Sequence, residues 1–474
     1  MPRDWSMKDL EYWDKKIVEK VEEFGLDCFP QEFEVCDHLQ MLGYMAYSGM
    51  PSHYPHWSYG KSFEKQKTMY DHGASGLPYE MVINSDPSLA YLMQDNSLTL
   101  QVLTIAHVYG HNDFFKNNYT FRDTHPELTL SNFKLRAERV RNYAEDPSIG
   151  ARAVEDWLDA AHALAYQCRR YPAKKKLTER EQRERAMEKL QPKDDPYHDL
   201  SKPEEKTMPD LSRVPLEPEE DVLLFIRDHN PNLATWQRDL LTIVHEQAQY
   251  FIPQIETKIM NECWASYWHH RIMHSLDLPQ DMHMEFLVHH NQVIRPHPGS
   301  INPYHVGFMV WHDIIRSCDE RTPEEIEMYG PSDRTGEEKM FQVREVDRDA
   351  SFLRRFLNRQ LMEDLDMFQY GQRGDDLVVE KVSDEDDWKD VRNTLVANVG
   401  MASMPVIQIT NADHENSRTL YLEHSYDGRE LELEYAEKTL NYLHHLWGRR
   451  VILATMLNDK HTELCYDETG FKYD

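Results

Sequence analysis

The chain has 474 residues, enough for two or three domains with a substantial buried core. Hydrophobic residues make up 40% and charged residues 29%, an ordinary and slightly polar balance for a water-soluble protein. With 53 basic against 83 acidic side chains the formal net charge is −30, which argues against a general nucleic-acid binder, because phosphate backbones call for a basic surface.

Six cysteines are scattered along the chain without a C-x-x-C pair, so neither a disulfide framework nor a zinc ribbon is expected. No run approaches the roughly 18 apolar residues of a membrane span. The opening Met-Pro-Arg-Asp-Trp-Ser carries charge where a signal peptide is apolar. The expectation is a cytoplasmic protein without a membrane span.

Trp5, Leu10, Trp13, Ile17, Val21 and Phe24 recur at helical spacing and predict an amphipathic helix over 4–26. A second helix is predicted over 33–48, stopped by Gly49-Met50-Pro51. Residues 51–78 are aromatic and turn-rich and read as an ordered loop. A short strand is predicted over 79–84, and Asp86-Pro87 reads as the N-cap and first position of a helix. Helices follow at 97–117, 132–144 and 154–170. Residues 171–217 form a charged, proline-containing linker or insertion, with an exposed helix over 178–189 and then an extended tether. Further helices are predicted at 219–228, 234–250, 253–275 (with Pro253 at its first position), 280–291, 303–318 and 350–363, and a short one opens at Pro323. Strands at 377–382, 405–410, 419–424, 451–456 and 462–466 surround a helix at 431–446. The predicted fold is a mostly α N-terminal and central domain with a smaller C-terminal α+β domain carrying a mainly antiparallel sheet. The expected divisions are 1–170, 171–217, 218–335 and 345–474.

Ten of the 25 histidines fall between His245 and His312. Outside that stretch, His107 and His111 lie four apart on a predicted helix, about 40° apart and one turn up. Two imidazoles so placed can grip one metal ion, as in H-E-x-x-H, although Val108 stands where that motif has glutamate. A hydrogen-bonded structural pair is the other reading. Glu262 and His269 share a face two turns apart, with Ser266 between them. Asn261-Glu262-x-x-Ala265 has the shape of the segment that supplies a glutamate ligand in glutamate-type zinc peptidases; a Glu-His pair bracing two helices is the alternative. Glu155, Asp159 and His162 make a third stripe with the carboxylate-x-x-His spacing of di-iron bundles, and they stand as additional ligands, as supports for the ligands, or as a salt-bridged helix face. Glu256, Glu246 and His269 are the acid/base candidates. No G-x-G-x-x-G, P-loop or G-x-S-x-G motif is present.

Four segments carry a family resemblance: Gly49-Met50-Pro51 with His56-Trp57-Ser58-Tyr59-Gly60-Lys61; Ala106-His107 through Asn118; Met260-Asn261-Glu262-x-Trp264-Ala265 with Trp268-His269; and Ile301-Asn302-Pro303-Tyr304 with Gly307-Phe308. Together and in this order they resemble the SpoVR family, stage V sporulation protein R and its relatives, over nearly the whole chain. The family pattern has Asn-Glu-Gly-Trp-Ala where this chain has Cys263, either a tolerated small residue or an added soft ligand.

The resemblance implies a link to sporulation and to formation of the spore cortex. It also implies partnership with a PrkA-type serine protein kinase and a von Willebrand-like protein. It names no reaction. The residues lead to a metal-dependent hydrolase acting on an amide or peptide, with His107, His111 and Glu262 as ligands to zinc. A carboxylate-histidine iron enzyme that adds Glu155, Asp159 and His162 is the second reading, and a non-catalytic regulatory or scaffold protein is the third.

Overall fold

The structure, a computed structural model, describes residues 4–72, 78–170, 176–188, 213–296, 302–365, 367, 369–373, 376–381 and 387–473. It forms two compact units, Met1–Arg141 with Gln249–Ser403 and Asn142–Ala248 with Met404–Asp474. The N-terminal and central parts are mostly helical, and the C-terminal region carries a five-stranded, mainly antiparallel sheet. The charged helix of the linker is Glu179–Glu188; the tether expected after it falls largely on 189–212, outside the described residues. Among the described residues no helix is long and apolar enough to cross a membrane.

The first unit is built around the helix Leu98–Asn117, whose residues from Thr99 to Phe115 are all buried. A helix enclosed on every side belongs at the centre of a core. It packs on the helix Lys258–Ser275, which buries Trp264, Ala265 and Trp268. Trp311 of Pro303–Asp319 and Phe352 of Asp349–Phe356 extend the same core, with ring centroids 5.2 Å (Trp264–Trp311) and 4.7 Å (Trp311–Phe352) apart. The two central helices meet most closely at Gly110, where an added Cβ would lie 2.6 Å from Ala265 Cα. The obstacle is backbone, so it has no rotamer by which to yield. Substituting G110A is expected to cost about 1–3 kcal/mol through overpacking. Chemical denaturation reads this directly, and an unchanged midpoint would mean that the close approach carries no energetic weight.

Two predicted helices are corrected. Over 33–48 the first part is the strand Gln31–Cys36, and the helix is His38–Ala46, capped by Asp37, whose carboxylate accepts the Gln40 N–H. The alternation of Phe33 and Val35 fits a strand rather than a helix, and parallel pairing with Ser88–Met93 holds it there. The helix expected from Asp86-Pro87 is itself that strand, Ser88–Met93. It is the middle of a three-stranded sheet, with Glu80–Ile83 antiparallel on its other side as the strand predicted over 79–84. All six of its residues are buried, so it lacks the alternation that marks a half-buried strand. A third correction concerns Pro253. It lies inside the helix Thr235–Glu256, and the break falls at Thr257, whose hydroxyl donates to the Pro253 carbonyl at 2.7 Å.

In the second unit the sheet runs Gly470–Tyr473, Lys460–Asp467, Val451–Leu457, Thr419–His424, Ile407–His414. Neighbours are antiparallel except Thr419–His424 with Val451–Leu457. A parallel pair needs a crossover, and the helix Leu433–Trp447 supplies it, burying Ala436, Leu440, Leu443 and Trp447. Gly448 ends that helix at φ 73°, a left-handed conformation that suits glycine.

Candidate metal centre

The central helix of the first unit is buried all round, so every polar side chain on it needs a partner. Gln101 donates to the Met93 carbonyl, and Asn112 both donates to and accepts from the Phe29 backbone. Asp113 takes Arg344, the Trp264 indole and the Asp27 N–H. His107 and His111 lie one turn apart, and both turn Nε2 toward Glu262 on the neighbouring helix. His107 Nε2 is 3.9 Å and His111 Nε2 3.6 Å from Glu262 Oε2. The Glu262 helix is held at its start by Asp349, whose carboxylate oxygens accept the N–H groups of Ile259 and Met260 at 2.8 and 2.9 Å.

A fourth donor arrives from the sheet. Glu80 opens the strand Glu80–Ile83 and places Oε1 3.9 Å from His107 Nε2. One ligand atom each from Glu80, His107 and His111 lie within 4.8 Å of one another, the set of three among the described residues that could hold a metal ion. Spacing could not find Glu80, because it reaches the site from a separate element. The only signal was a lone carboxylate beside the apolar Met81-Val82-Ile83. The imidazoles are 9% and 8% exposed, whereas Glu80 and Glu262 are 19% and 26% exposed, so the carboxylates form the solvent-facing side of the cluster.

The far edges of both rings are engaged. His111 Nδ1 donates to Asn261 Oδ1 at 2.9 Å, which leaves Nε2 with its lone pair facing inward. His107 Nδ1 shares a 2.8 Å hydrogen bond with His269 Nδ1, and His269 Nε2 shares another of 2.8 Å with His290 Nδ1. Such outer contacts fix the tautomer and orientation of ligating histidines. His269 therefore stands behind a cluster member, and Asn261 and His290 join it as residues that spacing did not reveal. The Tyr304 hydroxyl also reaches Glu262; burial first, then the charges of Glu262 and Glu80, push its pKa up.

The two carboxylates and two imidazoles shift one another's titration. Burial opposes the ionised form of Glu262, but the facing imidazoles of His107 and His111 hold its pKa below the ordinary range. Glu80 is pushed up by burial, with His107 opposing and Glu262 adding to the rise. Burial works against a charged His107, yet Glu262 and Glu80 outweigh it and raise its pKa. Burial, then the neighbouring His107, take His111 down to about 4. One imidazole is thus neutral and the other attracts a positive charge that a divalent ion could replace. Two imidazoles and two carboxylates suit zinc or iron.

The other candidates lie elsewhere. The Glu256 carboxylate is taken by Arg348 (Nη1 to Oε2, 3.0 Å) and the Met401 N–H. Glu246 is exposed on the helix Thr235–Glu256, within the second unit, beside His245, which pairs with Asp221. Glu155, Asp159 and His162 are half-buried on Ala151–Leu164, also in the second unit, and do not join the cluster. Cys263 turns away as well. Its thiol donates to the Pro303 carbonyl at 3.1 Å and sits against Gly307, where an added Cβ would come within 2.2 Å of Sγ, so it serves as the small residue.

His107, His111, Asn261, Glu262, His269 and Tyr304 lie in the segments that carry the family resemblance, Glu80 and His290 lie outside them, and comparison with known proteins bears on the whole chain. A family model described as SpoVR like protein matches residues 4–404, and one described as SpoVR-like C-terminal domain matches 405–458. An uncharacterized protein of Escherichia coli (strain K12), YcgB, is 34% identical over 97% of this chain and 94% of its own length. No solved structure matches. With both family models matched in order and the relative aligned almost end to end, the chain belongs to the SpoVR family.

Proposed function

We propose that the protein is a metal-dependent hydrolase acting on an amide or peptide bond of a cell-wall-related or regulatory substrate. The observation that carries this reading is the convergence of His107, His111, Glu262 and Glu80 from three separate elements, with their donor atoms turned toward one another. His107, His111 and Glu262 would hold zinc. In such a site zinc supplies Lewis-acid activation of water and of an amide carbonyl. Glu80 is assigned the acid/base role, in place of Glu256 and Glu246, because it reaches the cluster from its own strand on the solvent side. It takes a proton from water and returns it to the leaving amine. Asn261 and His269 hold the two imidazoles, and Tyr304 holds Glu262. The kinase and von Willebrand-like partners, and the link to cortex formation, rest on the family resemblance and form the physiological part of this proposal.

Protein purified without chelator, assayed for metal and against a panel of cell-wall stem peptides, tests the reading. E80Q should keep its metal and lose hydrolysis by about 10²–10⁴-fold. Wild type without stoichiometric metal, or E80Q as active as wild type, would overturn it. The donor set equally matches non-haem iron sites. Iron in the isolated protein would move the chemistry from hydrolysis to oxidation without changing the ligands.

A further inference from the structure

The charged stretch 171–217, which the proposed reaction does not use, carries a cavity of its own. Within the second unit, the segments 176–183 and 213–229 line a cavity of about 400 Å³. The chain as a whole has a formal charge of −30, yet the cations of this lining, Lys176, Arg183 and Arg213, outnumber its acids, Glu179 and Glu219. Lys176 pairs with Glu219, and Arg213 Nε donates to the Thr410 carbonyl at 2.6 Å. Two guanidinium groups beside a lysine are the side chains that recognise phosphate oxygens best.

Thr178 is the one hydroxyl side chain of the lining among the described residues, and it is exposed. It stands just before the helix Glu179–Glu188. Its hydroxyl donates to Glu181 Oε2 at 2.9 Å and accepts the Glu181 N–H at 3.3 Å, while its own N–H donates to Glu181 Oε2 at 2.8 Å. In the sequence Lys174, Lys175 and Lys176 precede it directly, with only Leu177 between. An exposed hydroxyl behind a run of lysines complements a kinase with an acidic substrate groove.

We propose that Thr178 is a phosphorylation site and that its phosphate seats in this cavity on Arg183, Arg213 and Lys176. The phosphoryl donor is a nucleoside triphosphate held by the kinase. The Thr178 Oγ1–H bond and the bond from the γ-phosphorus to its bridging oxygen break, the Oγ1–P bond forms, the proton passes to the kinase's base and the diphosphate leaves. The esterified oxygen can no longer donate to Glu181, and the new dianion repels that carboxylate. The phosphate therefore turns from Glu181 to the cations and links the helix Glu179–Glu188 to Arg213 at the far end of the charged stretch. This site stands apart from the metal centre and does not depend on the hydrolase reading.

The full chain incubated with radiolabelled ATP and a purified basophilic serine/threonine kinase tests the acceptor. Wild type should take up label on Thr178, T178V should lose most of it and T178S should keep it. Phosphorus NMR of the phosphorylated full chain tests the seat. The phosphate should titrate below its ordinary value of about 6, because neighbouring cations favour the dianion. R183A/R213A, two exposed changes checked for fold by circular dichroism, should bring it back to that value. Wild type without label, or T178V labelled as wild type is, would overturn the acceptor assignment. A phosphate that titrates alike in wild type and R183A/R213A would overturn the seat.

Discussion

H107A/H111A is expected to remove the tightly bound zinc of the buried centre, weakening that site by more than about 100-fold. The reason is that both Nε2 atoms face Glu262 Oε2 with their opposite ring edges already engaged, so they have no other inward role. Changing Asn261 to Ala, which leaves every donor in place, should still cost about 10–100-fold, because His111 then loses the acceptor that fixes its tautomer. Bound metal is read by elemental analysis after dialysis, and circular dichroism confirms the fold. Retention of full zinc by H107A/H111A would show that this cluster is not a metal centre. A residual hydrogen-bonded pair would then be the correct description of His107 and His111.

How far this site was legible in the sequence depends on which contacts are local. His107 and His111 share one helix, and Glu262 and His269 share another, so helical spacing alone assembles each half. That the halves meet depends on Gly110 against Ala265 and on the Asp113–Trp264 hydrogen bond, contacts across more than 150 residues that no periodicity records. Glu80 was hidden for a stronger reason: a single strand residue has no partner at a fixed spacing. The same limit explains the misread helices. Ser88–Met93 is enclosed between two strands, and an enclosed six-residue strand carries the same apolar run as a buried helix segment. The last third was easier to read. Its strands are bounded by turns, and the crossover helix has one buried face and one exposed face, so pattern and environment agree there.

The largest stability effect is expected from R344A. Arg344 Nη1 lies 2.7 Å from both Asp113 oxygens, in a site where Asp113 is fully buried and Arg344 nearly so. Trp264 Nε1 donates to the same carboxylate at 2.8 Å, and the Asp27 N–H donates at 2.8 Å. The guanidinium also lies over the Trp264 and Phe341 rings. Removing it leaves a buried carboxylate short of its countercharge and opens a void between aromatic rings. Breaking a buried pair in this way costs about 3–5 kcal/mol. For a unit of this size that is a fall of roughly 5–8 °C in the melting transition, followed by tryptophan fluorescence. Neutralising the stranded carboxylate should recover part of the loss, so R344A/D113N should be more stable than R344A alone. The consequence reaches the metal centre. Asp113 lies two residues beyond His111 and Trp264 two beyond Glu262, so the Asp113–Trp264 hydrogen bond pins together the helices that carry the facing donors. Zinc affinity in R344A should therefore fall together with stability, although no donor has changed. Wild-type affinity in a destabilised R344A would mean that His107, His111 and Glu262 are held by their own packing, independently of this buried pair.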